Sequence, residues 1–110
     1  MRNLKKYFNY LDIVEKSNHE LNLTCNDALL LDAIARANHE GRILNANDLL
    51  LLTEIGSQAT IHARLKHLIN TKLISFHPNE GDEGPKEARL TELAHKRYET
   101  LSQAFDTLPL

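Results

Sequence analysis

One cysteine, no tryptophan, four glycines and three prolines are all that this 110-residue chain has of the residues that most often staple, anchor or break a fold. The lone Cys25 excludes an internal disulfide framework, so nothing depends on an oxidising compartment and a cytoplasmic location is expected. No apolar run approaches the roughly 20 residues of a membrane span. Met1 to Glu20 also lacks the unbroken apolar core of an export signal. Catalytic patterns are missing too: there is no glycine-rich phosphate loop and no pair of carboxylates beside a candidate nucleophile, so an enzyme is not expected. Cys-x-x-Cys is absent, and His62 and His67 stand five apart, off the i, i+4 spacing that sets two ligands on one helix face. The six histidines therefore read as surface residues, with no metal and no other cofactor called for.

The most informative absence is local. The chain carries fifteen acids, yet the twenty-five residues between Glu54 and Glu80 contain none. Random placement leaves any one given window of that length acid-free roughly one time in fifty, and the stretch reads as a surface suited to a polyanion. A net charge of -2 points away from nucleic acid, which makes the distribution of charge more telling than its total. With 42% hydrophobic residues, one small domain over residues 1–110 with a single core is expected.

Inside the gap, Ser57 follows Gly56 and is placed to cap a helix, and Ile61, Leu65, Leu68 and Ile69 then recur at the i, i+4, i+7, i+8 spacing of one buried stripe. The opposite face collects Ala59, Thr60, Ala63, Lys66, His67 and Asn70, flanked by His62 and Arg64. Upstream, Asn45 is a cap with Asp48 at the capping-box position, and Leu49 to Leu52 lead through Ile55 into the Gly56-Ser57 turn. Two helices across so short a glycine-containing turn predict a helix-turn-helix.

The remaining elements surround this pair. Leu4, Tyr7, Phe8, Leu11 and Val14 predict an amphipathic helix from Asn3 to about Asn18, and the Ala28 to Ala37 run predicts a buried second helix after cap candidates Thr24 and Asn26. Gly41 ends it, and Arg42-Ile43-Leu44 has room for a short strand. Beyond Thr71, Leu73 to His77 and Lys86 to Leu90 alternate on either side of the turn-rich Pro78 to Pro85, which predicts a β-hairpin. Thr91 caps a last helix bearing Leu93, Ala94, Tyr98, Leu101, Ala104 and Phe105, running up to Pro109.

This order of elements, together with Gly56-Ser57, Thr60-Ile61, Leu65, Leu68, Leu73-Ile74, Asp82 and Leu90-Thr91, resembles the MarR family of winged-helix transcription regulators over about Leu29 to Tyr98. The fold class expected is therefore mainly α with a small β-hairpin, a winged helix-turn-helix. The sequence departs from the family pattern at three places. Lys72 stands where a glycine is usual after the recognition helix. Glu83 and Gly84 follow Asp82 at the hairpin tip where an arginine is usual, and the chain is shorter than typical members. Cys25 near the first two helices is similar in position to the reactive thiol of peroxide-sensing members, with Tyr7 and Tyr10 as candidate partners, although a small half-buried residue is the plainer reading.

The resemblance implies a DNA-binding regulator with the helix 57–71 in the major groove. Ser57, Gln58 and the helix N-terminus would position on phosphate, and Gln58 and Thr60 would read base edges. Ala59 and Ala63 would permit close approach, while His62, Arg64, Lys66 and His67 would supply charge or guanine contacts. Lys86 and Arg89 would take phosphates from the hairpin. The alternative is a winged helix that binds protein, which the acidic tip favours. Leu4, Tyr7, Phe8 and Leu11 at one end and Tyr98, Leu101, Phe105 and Leu108 at the other are expected to form a homodimer interface. The partners expected are thus double-stranded DNA and a second copy of the chain. A small-molecule effector is left open, and no membrane is involved.

Overall fold

The computed structural model describes residues 4–77 and 86–107, the last two by their backbone alone. The elements follow in the order α1 (Lys5–Glu20), α2 (Cys25–His39), α3 (Ala46–Leu50), α4 (Gln58–Asn70), β1 (Ile74–His77), β2 (Glu87–Leu90) and α5 (Glu92–Thr107). The strands pair antiparallel with Ile74 opposite Leu90 and His77 opposite Glu87, completing the expected winged helix-turn-helix. The hairpin tip, with Asp82, Glu83 and Gly84, lies outside the described residues, as does Leu108.

Helix starts follow side-chain chemistry. Thr24 and Asn45 each close a full capping box, with Asp27 and Asp48 respectively, and Ser57 accepts the Thr60 N–H at the start of α4. The Thr91 hydroxyl accepts the Ala94 N–H at the start of α5 and donates to the Lys72 carbonyl at 2.6 Å. Of the two candidates before α2, it is Thr24 that caps and Asn26 that lies inside the helix.

Helix ends share one backbone device. After α1, α2 and α4 the chain turns through a left-handed residue, Asn22 (φ 57°), Gly41 (φ 79°) and Lys72 (φ 63°). In each case the following N–H reaches back five residues: Leu23 to Asn18, Arg42 to Ala37 and Leu73 to Leu68. Lys72 thus adopts the glycine-like conformation itself, at a backbone cost of about 1–2 kcal/mol, and Asn70 and Thr71 do not absorb the reversal.

The core lies where these elements converge: Leu30, Leu31 and Ile34 of α2, Leu49 of α3, Ile61, Leu65 and Leu68 of α4, Leu73 and Ile74 at β1, Ala88 of β2 and Ala94 of α5. Asn38 fixes the hairpin to α2, its side-chain amide donating to the Ala88 carbonyl and accepting the Leu90 N–H. Three expectations are corrected here. Arg42-Ile43-Leu44 forms no strand; a single bridge joins Asn45 to Glu87, with Ala88 N–H donating to the Leu44 carbonyl at 2.8 Å. The third helix stops at Leu50, because the chain must bend at once for Leu52 and Ile55 to reach the core. The first helix runs Lys5–Glu20, shifted from Asn3–Asn18.

α1 stands apart, with none of its residues fully buried. It lies along α5, where buried Arg97 donates to Ser17 Oγ at 2.9 Å and Tyr10 stacks on Phe105 with centroids 4.5 Å apart. The molecule is correspondingly long, 56 × 27 × 24 Å. Its radius of gyration is 15.5 Å, against about 13 Å for a compact chain of this length.

Candidate nucleic-acid interface

The stripe of Ile61, Leu65 and Leu68 anchors α4 to the core and so fixes which side faces outward, whereas Ile69, expected in the same buried stripe, is 42% exposed. Gln58, Ala59, His62, Ala63, Lys66 and Asn70 are exposed. Small side chains at 59 and 63 leave the helix backbone open to close approach along that line, and no acid stands on α4. At the N-terminal end Ser57 Oγ accepts the Thr60 N–H and donates to Thr60 Oγ1 at 3.0 Å, which turns the half-buried Thr60 hydroxyl toward the turn. A Cβ on Gly56 would come within 3.1 Å of the Thr60 methyl, so the glycine allows the turn to close over the start of the helix.

Two residues expected to supply charge or guanine contacts, His67 on the outward face and Arg64 on its flank, turn the other way. Arg64 Nη1 lies 3.4 Å from both carboxylate oxygens of Asp27, and His67 Nε2 lies 3.0 Å from the Asn22 carbonyl and 3.7 Å from Asp27 Oδ2. Both are half-buried, which is the helical consequence of lying on the flank nearest α2. Asp27 itself is fully buried, its Oδ2 also accepting the Thr24 N–H at 2.9 Å. Sequence reasoning missed it. The Thr24-x-x-Asp27 spacing announces the capping box, but nothing local reports that Arg64, 37 positions away, closes on the same carboxylate.

The hairpin adds exposed Lys86 and Arg89, the latter paired with Glu87 at 3.0 Å. Of the residues assigned to a dimer contact, Leu4, Tyr7, Phe8 and Phe105 are indeed exposed, between 52% and 61%, and Leu11 is half-buried. Tyr98 and Leu101 are corrections. Leu101 is buried within the chain itself, and Tyr98 packs against the core with its hydroxyl donating to Asp32 Oδ1 at 2.6 Å. Burial first, then the hydrogen bond to Asp32 and its charge, push the Tyr98 phenol well above its ordinary range. Cys25 is exposed as the first residue of α2. Among the described residues no group of three His, Cys, Asp or Glu side chains is gathered to hold a metal ion, and no helix is long and apolar enough to cross a membrane.

Solved structures share this arrangement. The DNA complex of Staphylococcus aureus MepR matches with a TM-score of 0.73 at 19% identity, over 91% of this chain and 72% of that one. Apo MarR from Escherichia coli matches with a TM-score of 0.63 at 15% identity, over 90% and 70%. The adhesin competence repressor AdcR of Streptococcus pyogenes matches with a TM-score of 0.58 at 20% identity, over 93% and 72%. No family model and no curated protein matches the sequence. The likeness read from its residues therefore holds at the level of the fold: the chain has the winged helix-turn-helix architecture of MarR-like regulators.

Proposed function

We propose that this protein is a sequence-specific, double-stranded-DNA-binding transcription regulator of MarR-like type that works as a homodimer, with α4 in the major groove and the hairpin along the flanking backbone. The observation that carries this reading is the outward face of α4. It is acid-free, small at Ala59 and Ala63, polar at Gln58 and cationic at Lys66, on the fold that MepR presents in its complex with DNA. Phosphate is met by the α4 N-terminus with Ser57 and Gln58, and by Lys86 and Arg89.

Exposed Leu4, Tyr7, Phe8 and Phe105 supply the dimer contact in this reading. Each side chain of that size contributes roughly 1.5–3 kcal/mol when fully buried. A two-fold axis through the arm would set the two α4 helices about 34 Å apart, one turn of B-DNA.

Selection of bound sequences from a random duplex library tests the reading. The expected product is a palindrome bound with an affinity that falls steeply with salt. Recovery of no preferred sequence overturns it. One observation favours the second reading, a winged helix that docks on protein. Of the α4 side chains Arg64, Lys66 and His67, only Lys66 is exposed, and Arg89 is paired with Glu87. Duplex binding that is absent or insensitive to salt would move the balance to that reading.

A further inference from the structure

Arg64 and His67, three residues apart on one flank of α4, converge on a single carboxylate that belongs to another helix. Asp27 is fully buried, and a buried carboxylate is tolerated only when its oxygens are satisfied. Here the Thr24 N–H and the α2 N-terminus supply part of that satisfaction, and Arg64 supplies the rest. His67 ties the same flank to the Asn22 carbonyl, at the left-handed turn between α1 and α2. The apolar stripe alone leaves α4 free to roll by a few degrees, because dispersion contacts are not directional. Two polar contacts a turn apart, aimed at fixed points on the α1–α2 junction, remove that freedom.

We infer that Asp27 is a positioning residue for DNA recognition: it sets the roll of α4 through Arg64 and His67, and these two side chains act through it without touching DNA. The inference rests on the DNA-binding reading above. Base readout then belongs to Gln58, Ala59, Thr60, His62, Ala63 and Lys66, and Asp27 controls specificity from a place the duplex never reaches.

The test uses the full chain and three variants, Asp27→Asn, Arg64→Gln and the two together, each measured on the selected duplex and on a scrambled duplex across a salt series. Either single variant should lower the ratio of specific to scrambled affinity by about 10-fold or more, with the salt slope unchanged. Because both substitutions act on one contact, the double variant should lose no more than either single variant. A phosphate contact by Arg64 predicts something else: affinity lost on both duplexes, a slope lower by about one ion, and a loss in the double variant that is the sum of the two single losses. That result overturns the inference while leaving the DNA-binding reading intact. If the parent binds no duplex, the DNA-binding reading fails and the inference falls with it. Should Asp27→Asn fail to fold by circular dichroism, the salt slope of Arg64→Gln alone decides between the two.

Discussion

The body formed by α2, α3, α4 and the hairpin and the arm formed by α1 and α5 both consist largely of amphipathic segments, yet they are held by different means. α2 and α3 open with complete capping boxes, and α2 and α4 contribute most of the core. α1 opens at Leu4 with no side-chain cap and no acid in its first turn, and it buries no residue completely. A 16-residue helix without those aids is marginal on its own, so its order depends on what lies beside it. Within the chain that neighbour is α5, and the uncovered side of the arm is where Leu4, Tyr7, Phe8 and Phe105 remain in water. The body thus holds most of the core, and the arm is the region that the proposed homodimer would cover.

The comparison can be broken most sharply by truncation in each region. Ile34→Ala in the body should cost about 2–5 kcal/mol in urea unfolding at any protein concentration. Phe8→Ala should cost little in dilute solution and progressively more as concentration rises, because in the proposed homodimer its partner is another molecule. Equal, concentration-independent losses would show the arm to be packed like the body. Tyr7→Glu together with Phe8→Glu should give a folded monomer by sedimentation. A parent that is itself monomeric at tens of micromolar would remove the homodimer.

The joint between arm and body is sharpened by pH. The Tyr98 phenol holds its proton more tightly in the native state than in the unfolded chain, because burial and Asp32 both oppose ionisation. Its contribution to stability is therefore complete below about pH 10 and declines as the pH rises above that. Tyr98→Phe should lose about 0.5–1.5 kcal/mol at neutral pH and show a shallower decline in stability above pH 10. Parallel curves for parent and variant would mean that the hydroxyl does not link α5 to α2.

The smallest effect concerns the end of α4. Lys72→Gly should raise stability by about 0.5–1 kcal/mol, since glycine adopts φ 63° without the steric penalty of a side chain. Gly41→Ala should lower it by a similar amount at the equivalent turn after α2. A loss in Lys72→Gly would show that the lysine side chain makes up for its backbone.

Most of the fold was legible because it depends on local chemistry. Thr24, Asn45, Ser57 and Thr91 act as caps through residues three positions away, and the apolar spacing of α4 decides its buried side. What escaped depends on distant partners. The Arg42 to Leu44 segment meets β2 at one bridge only, because Asn45 must cap α3 directly afterwards. Tyr98 and Leu101 share an apolar pattern with Phe105, and periodicity does not tell which side of α5 the body will cover. Arg64 reads as a surface cation until Asp27, from another helix, is seen beneath it.

One hydroxyl joins the arm to the end of α4. Thr91 Oγ1 accepts from the first turn of α5 and donates to the Lys72 carbonyl, so the rod that carries the arm is pivoted at the turn that ends α4. α5 has 16 residues and is about 24 Å long at 1.5 Å per residue. A 5° tilt about that pivot swings its far end by about 2 Å, the size of an ordinary side-chain rearrangement. That pivot is not the only hold on the rod: Arg97 ties it to Ser17 of α1 and Tyr98 ties it to Asp32 of α2, so a tilt of α5 would have to carry α1 with it and break or drag the bond to α2.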